Sequence, residues 1–302
     1  MEEKTTINRK IKKIMHILNP LAGKGQASKI KENLESNNYV YMSDSADEAA
    51  DFIKKACVEN PETCFTVYGG DGTVFKAVNA LMESGYNDLA SLKIVPIGSG
   101  NDFVHTFEGK SGEFAVDVMK FNGRYAANVI NMGFDCEVVR RAISIKKVPI
   151  IPNKFAYYFG VAGELFSKKP FDATINLTYP DGTTEEIKEK VLLAAVANCR
   201  YYGGGFEAAP AAKPDDGLLD VVIIKDVSVP TFVSLVGNYK NGTHVDRETG
   251  EVIEKFKKFL IYKKCVAVKI EGCKSVCADG EIFEESSVDI EVIPKAINYV
   301  KD

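Results

Sequence analysis

The sequence predicts a parallel α/β layer followed by an antiparallel β-rich domain, and three observations carry that prediction. Up to about residue 120, apolar strand-like runs alternate with helical patterns, as in a parallel sheet covered by helices. Beyond it, extended segments follow one another between turns rich in Pro, Asp and Gly. Within the first part, three apolar runs each end in a glycine turn that opens a helical pattern.

The run Met15-His16-Ile17-Leu18 leads into Asn19-Pro20-Leu21-Ala22-Gly23-Lys24-Gly25 and an amphipathic stretch over 27–34. Phe65-Thr66-Val67-Tyr68 leads into Gly69-Gly70-Asp71-Gly72-Thr73, followed by Val74, Ala77, Val78 and Leu81 at helical spacing. The run 92–97 leads into Gly98-Ser99-Gly100-Asn101-Asp102-Phe103. Glycine lets the backbone come close to a phosphate chain, and the N–H groups at a helix start favour negative charge. Taken singly, each cluster reads as a tight strand-to-helix turn. Three of them at the carboxyl ends of parallel strands converge on one sheet edge, where open α/β sheets bind ligands. Asp71 repels phosphate unless a divalent cation lies between them, so a nucleotide triphosphate with Mg²⁺ is the expected ligand. None of the turns has the spacing of a dinucleotide fingerprint or a P-loop.

In the second part, extended segments are expected over 125–131, 173–179, 191–198, 218–224, 265–270 and 288–293. Pro180-Asp181-Gly182 and Pro214-Asp215-Asp216-Gly217 mark turns, and helical inserts are expected near 156–166 and 231–239. Phe155, Tyr157, Tyr158, Phe159, Leu165 and Phe166 are expected in the core, with the lining of an acyl-chain cleft as the alternative. Tyr201-Tyr202-Gly203-Gly204-Gly205-Phe206 is the expected flexible loop beside them.

Composition sets the frame. The 302 residues are 45% hydrophobic and 26% charged, enough for a large core and for two domains. A net charge of −4 argues against a nucleic-acid partner and against broad adhesion to anionic lipid. Seven cysteines scattered over the chain read as reduced thiols, and three histidines offer no partner set for a zinc site at Cys273 and Cys277. Residues 1–13 carry no apolar signal-peptide core, and no apolar run approaches the ~20 residues of a membrane span. A soluble cytoplasmic protein is expected.

Four motifs in order, Asn19-Pro-Leu-Ala-Gly23, Gly69-Gly-Asp-Gly-Thr73, Gly98-Ser-Gly-Asn-Asp102 and Ala278-Asp-Gly-Glu281, resemble the diacylglycerol kinase catalytic family, especially its soluble bacterial lipid kinases. The resemblance spans nearly the whole chain. It implies a Rossmann-like NAD-kinase/diacylglycerol-kinase α/β domain over 1–122, to which 296–302 return, and an antiparallel β-sandwich domain for the lipid over 123–295. It implies ATP and Mg²⁺ as cofactors, with the γ-phosphate passing to a hydroxyl of a diacylglycerol-like lipid met at the inner face of the membrane. Homodimerisation is left open.

By the same resemblance, Asn19, Pro20, Leu21, Ala22, Gly23, Lys24, Ser43, Gly69, Gly70, Gly72, Thr73, Gly98, Ser99, Asn101 and Asp102 contact the nucleotide, and Asp71 holds Mg²⁺. Asp279 is the general base, with Glu281 as its partner or as a nucleotide contact; a hairpin turn is the bland alternative for that motif. Asp216 and the carbonyl of Leu218 match two ligands of a second, structural Mg²⁺. The third position falls on Lys213, and a turn stabilised by Asp side chains alone is the alternative. The chain departs from the family at Phe75-Lys76, where a polar pair is usual: Phe75 is expected to pack under the turn and Lys76 to reach a phosphate. Two other functions are weighed against lipid phosphorylation: an NAD-kinase-like small-molecule kinase, and a nucleotide- or lipid-binding regulator without catalysis.

Overall fold

Four parallel strands in the order β4-β3-β1-β2 build the first layer of the computed structural model, which describes residues 13–18, 30, 31, 34, 39–97, 100–146 and 169–302. They are β1 (Lys13–Leu18), β2 (Tyr39–Met42), β3 (Thr63–Gly69) and β4 (Ser91–Pro96). β3, flanked by β1 and β4, is buried at every position, as a central parallel strand covered on both faces must be. Helix α1 (Ala46–Glu59) starts where Ser45 accepts the Glu48 N–H at 3.1 Å. Helix α2 (Asp71–Ser84) stops at Gly85, in the left-handed conformation at φ 74°. Their apolar faces, including Ile53, Cys57, Val78 and Leu81, bury against Phe65, Val67 and Leu92 of the sheet.

After the short helix α3 (Asp102–His105) the chain turns antiparallel through β5 (Gly112–Phe121), β6 (Arg124–Ala126) and β7 (Val129–Gly133). The segment expected as one strand over 125–131 is thus two, because the Ala127 and Asn128 N–H groups bond a side chain, Asp279, instead of a neighbouring strand. Helix α4 (Phe134–Lys146) precedes β8 (Phe171–Thr178), β9 (Thr184–Ala197) and β10 (Leu219–Lys225). The expected insert over 156–166 and its aromatic residues lie outside the described residues. The second insert is α5 (Val229–Lys240), capped by Ser228, close to the range expected. The chain closes with β11 (Leu260–Cys265), β12 (Ala267–Glu271), β13 (Val276–Ala278), β14 (Glu281–Phe283) and β15 (Ser287–Lys301).

β9 shows how sequence and environment correspond. Its first half alternates exposed and half-buried residues, and its second half, Val191 to Ala197, is wholly buried. There one face meets Ile130, Ile175 and Val221, and the other meets Phe134, Phe232 and Leu235 from α4 and α5. The fold is therefore mixed α/β, with a β-sandwich-like second part.

β15 joins the two parts. Its start pairs with β12, and Asn298, Tyr299 and Val300 lie parallel to Ser91, Leu92 and Lys93 of β4. Between these halves the strand kinks at Pro294 and Lys295, the latter at φ 51°. Buried Asp117 of β5 fixes the kink by accepting the Lys295 N–H at 2.6 Å and the Gly217 N–H at 2.7 Å.

Candidate active site

The parallel strands end at one edge, where the glycine turn after β3 meets Gly100 from the turn after β4. Gly69 ends β3, where a Cβ would stand 2.3 Å from Thr73 Oγ1, so only glycine lets the turn fold back on its helix. The Gly70 carbonyl accepts from Thr73 and Val74, which winds the first turn of α2 directly from the strand. Gly100, from the turn after β4, closes over this point: its carbonyl accepts the Asp71 N–H at 3.1 Å. A Cβ on Gly100 would lie 2.6 Å from Asp71 Oδ2. Ser43, just after β2, donates its N–H to the carbonyl of Leu18, the last residue of β1, at 3.0 Å. Asn101 accepts the His105 N–H on its carbonyl at the start of α3. Asn19, Pro20, Leu21, Ala22, Gly23, Lys24, Gly98 and Ser99 lie outside the described residues.

The second part reaches the same edge through the β13–β14 hairpin. Asp279 and Gly280 make its two-residue turn, both with positive φ, as the preferred hairpin turn requires. The bland hairpin reading of Ala-Asp-Gly-Glu therefore holds as geometry, and the same turn delivers its carboxylates to the site. Glu281 Oε1 lies 3.3 Å from the place a Cβ on Gly72 would occupy, directly over the start of α2. Asp279 is buried and accepts three N–H groups, from Ala127 at 2.8 Å, Asn128 at 3.1 Å and Val129 at 2.8 Å.

Three carboxylates thus share one buried region, and their hydrogen bonds distinguish them. Asp71 Oδ1 is buried without a hydrogen-bond partner. Burial first, then the Asp102 and Asp279 carboxylates, push the Asp71 pKa up to about 7, against the backbone N–H groups of Phe103 and Asp102. Asp279 is pushed up to about 6 by burial, opposed by its three N–H donors. Asp102 is also raised by burial, opposed by the N–H groups of Gly204 and Gly205. Of the three, Asp71 carries the unfilled oxygen and the greatest need of a positive neighbour. Among the described residues no three Asp, Glu, His or Cys side chains gather as a metal cage. A cation at Asp71 would complete its shell with phosphate and water, which suits Mg²⁺.

The residues at the expected second metal position do not fit a metal ion. Asp216 Oδ1 accepts the Leu218 N–H at 3.0 Å, and Asp216 Oδ2 receives the Lys264 ammonium at 3.2 Å. Lys264 also donates to the Ala211 carbonyl at 3.0 Å and to buried Asp220 at 3.2 Å. The three donors of one ammonium are filled, and a protein cation stands where the divalent one was expected. The ammonium of Lys76, the residue expected to reach a phosphate, lies 2.6 Å from Asp47 on α1. Phe75 is buried as expected, its ring 6.1 Å from that of Phe283 on β14.

Other contacts carry no local sequence signal. Asp102 reaches more than 100 residues along the chain to the 201–206 loop. An apolar cavity lined by Phe134, Leu193, Ile224, Phe232 and Leu235 lies under α4 and α5. Its polar end is Asp135, which accepts the Tyr202 hydroxyl at 2.5 Å, while Tyr202 in turn meets the Tyr239 hydroxyl at 2.6 Å. The glycine run at 203–205 and the carboxylate of Asp102 are each visible in the sequence, but nothing in it joins them.

Known proteins resemble the chain over most of its length. A diacylglycerol kinase of Mycobacterium tuberculosis is 27% identical, with 96% of each chain covered. A "Probable lipid kinase YegS-like" protein of Shewanella frigidimarina is 26% identical over 84% of this chain and 82% of its own. A crystal structure of a diacylglycerol kinase from Bacillus anthracis superposes with a TM-score of 0.69 at 20% identity, covering 97% of this chain and 98% of that one, a likeness of fold. Residues 13–132 match the diacylglycerol kinase catalytic domain, and residues 128–301 match the YegS C-terminal NAD kinase beta sandwich-like domain. The chain belongs to the lipid kinase family built from these two domains.

Proposed function

We propose that the protein transfers the γ-phosphate of ATP to a hydroxyl of a diacylglycerol-like lipid. The observation that carries this reading is the meeting of Asp71, the turn at Gly100 and the Asp279–Glu281 hairpin at one sheet edge. Residues 1–122 with 296–302 form the nucleotide side, and residues 123–295 the lipid side. Gly69, Gly70, Gly72, Thr73 and Asn101 receive the nucleotide, together with Asn19, Pro20, Leu21, Ala22, Gly23, Lys24, Gly98 and Ser99 by their place in the motifs. Asp71 holds Mg²⁺ through its unpartnered oxygen. The bound ion supplies charge neutralisation on the transferring phosphoryl group.

Phosphoryl transfer also needs a group to take the proton of the attacking hydroxyl. Asp279 is that group. Two N–H donors fill Oδ1, whereas Oδ2 accepts one and keeps a lone pair. Its carboxylate is held rigidly by the backbone of the segment before β7, which gives the base a fixed position. Glu281 faces the helix start at Gly72 and orients the phosphate-bearing turn.

The lipid is met at the membrane surface: among the described residues no helix is long and apolar enough to cross a membrane. The Mycobacterium tuberculosis relative is named a diacylglycerol kinase, which makes diacylglycerol the first acceptor to try. Labelled ATP and Mg²⁺ are incubated with diacylglycerol, phosphatidylglycerol, a sphingoid base or a polyprenol in mixed micelles, with NAD as the soluble control. Label in a lipid is the expected result. Label in NAD alone, or in nothing despite ATP binding, overturns the proposal.

A further inference from the structure

We propose that Asp102 is a positioning residue that latches the 201–206 loop of the lipid side onto the nucleotide turn. The proposal rests on the kinase reading above and adds a coupling element to it. Asp102 opens α3, yet both its oxygens face away from its own helix. Oδ2 accepts the Gly204 N–H and Oδ1 the Gly205 N–H, each at 2.8 Å. Gly203, Gly204 and Gly205 have φ values of 63°, 83° and 92°, so successive N–H groups line a concave cradle of the kind that grips an anion. The cradle is closed at its base, where Tyr202 and Phe206 exchange two backbone hydrogen bonds of 3.0 Å. One turn along α3, the His105 ring meets the Tyr201 ring at 4.1 Å.

The far side of this loop packs into the lipid side itself. Tyr202 donates its hydroxyl to Asp135 and its oxygen meets the Tyr239 hydroxyl at the polar end of the apolar cavity, and Phe206 lines the same cavity. A single six-residue loop therefore has the nucleotide turn at one end and a lipid-side cavity at the other. Gly100, two residues before Asp102, packs on Asp71. A change at Asp71 thus has a short path to the latch, one hydrogen bond to Gly100 and two residues of chain, and the latch reaches the loop through two more hydrogen bonds. Both oxygens of Asp102 are taken by the loop, so the proposal gives this residue a positioning role in place of the nucleotide contact that the motif implies.

The glycines permit a clean test. A Cβ on Gly204 would meet nothing within 4 Å, so Gly204→Ala strains the loop by its positive φ alone. Three variants are compared with the parent: Asp102→Asn, Gly204→Ala and the double variant. Amide hydrogen exchange of 201–206, ATP affinity and lipid-dependent kinetics are measured on each. In Asp102→Asn, exchange should rise about tenfold or more within 201–206 and stay unchanged in β3 and β9, as loss of a charged acceptor for two N–H groups requires. The KM for lipid should rise by a similar factor while ATP affinity stays within about threefold. The double variant should be no worse than the more affected single one, because both cut the same link.

Unchanged exchange in 201–206 overturns the latch, as does a loss of ATP affinity that equals the lipid effect, which would make Asp102 a nucleotide ligand. Additive lipid effects in the double variant overturn it as well. The exchange and ATP measurements need no turnover, so they decide the latch even if no lipid is phosphorylated and the kinase reading falls.

Discussion

Asp71 and Asp279 are both buried acids, and their partners separate what each is able to do. Asp71 has an oxygen without a partner and a pKa raised from 3.8 to about 7. Between about pH 4 and 7 the folded chain then holds a proton that the unfolded chain releases, so this group lowers stability progressively as pH rises through that window. Asp71→Asn removes the buried charge. Its melting temperature in the absence of metal should exceed the parent's at pH 8 and match it at pH 4, while binding of ATP with Mg²⁺ is abolished. Thermal melts at the two pH values with an ATP titration check both halves, and normal ATP binding would take the metal away from Asp71. Asp279→Asn should behave oppositely. An amide offers one acceptor atom to three N–H groups, so stability falls, and turnover falls by about 10²-fold or more if Asp279 takes the proton. Lipid phosphorylation well below the melting temperature separates the two effects, and parent-like turnover there removes Asp279 from the chemistry. The carboxylates were legible in the sequence as residues of the motifs. Their hydrogen-bond partners were not, because Ala127, Asn128 and Val129 are about 150 positions away from Asp279.

At the scale of the element, local patterns located the strands, and pairing decided what stood beside them. The turn 214–217 and the strand after it were visible from Pro, Asp and Gly, yet Lys264 was not, since its place opposite Asp220 is set by the register of β10 against β11. That register puts opposite charges face to face, with Tyr262 giving Asp220 a second bond at 2.6 Å. Lys264→Met should therefore cost about 3–5 kcal/mol, the usual effect of stranding a buried charge. Mg²⁺ or EDTA should leave the melting temperature of the nucleotide-free parent unchanged, once any effect that vanishes in Asp71→Asn is set aside. A Mg²⁺ stabilisation that survives Asp71→Asn would restore a second metal at this turn. The hairpin at Asp279 shows the same limit from the other side: Asp-Gly between two short strands announces the turn, and only tertiary packing carries it over Gly72.

For the whole molecule, the change of pattern near residue 120 reads as a boundary, whereas the hydrogen-bonded sheet crosses it without a break. The reason is β15, whose last residues insert between β4 and β5 at the centre of the first part. Tyr299, fully buried, packs on Phe103, Phe107 and Phe114, so the end of the chain supplies core to its beginning. A shared strand of this kind makes folding of the two parts interdependent, because without it β4 and β5 each lose a partner and the aromatic core loses its middle. A chain ending at residue 294 should fail to give a cooperative unfolding transition and should not bind ATP, although every glycine turn remains present. Tyr299→Ala should reproduce much of that loss, about 3–5 kcal/mol. Tyr299→Phe should be neutral or stabilising, since the buried hydroxyl has no hydrogen-bond partner. Circular dichroism melts and ATP titration of the three proteins provide the check. A truncated chain that melts cooperatively and binds ATP would mean that the first part folds by itself and that β15 only decorates its sheet.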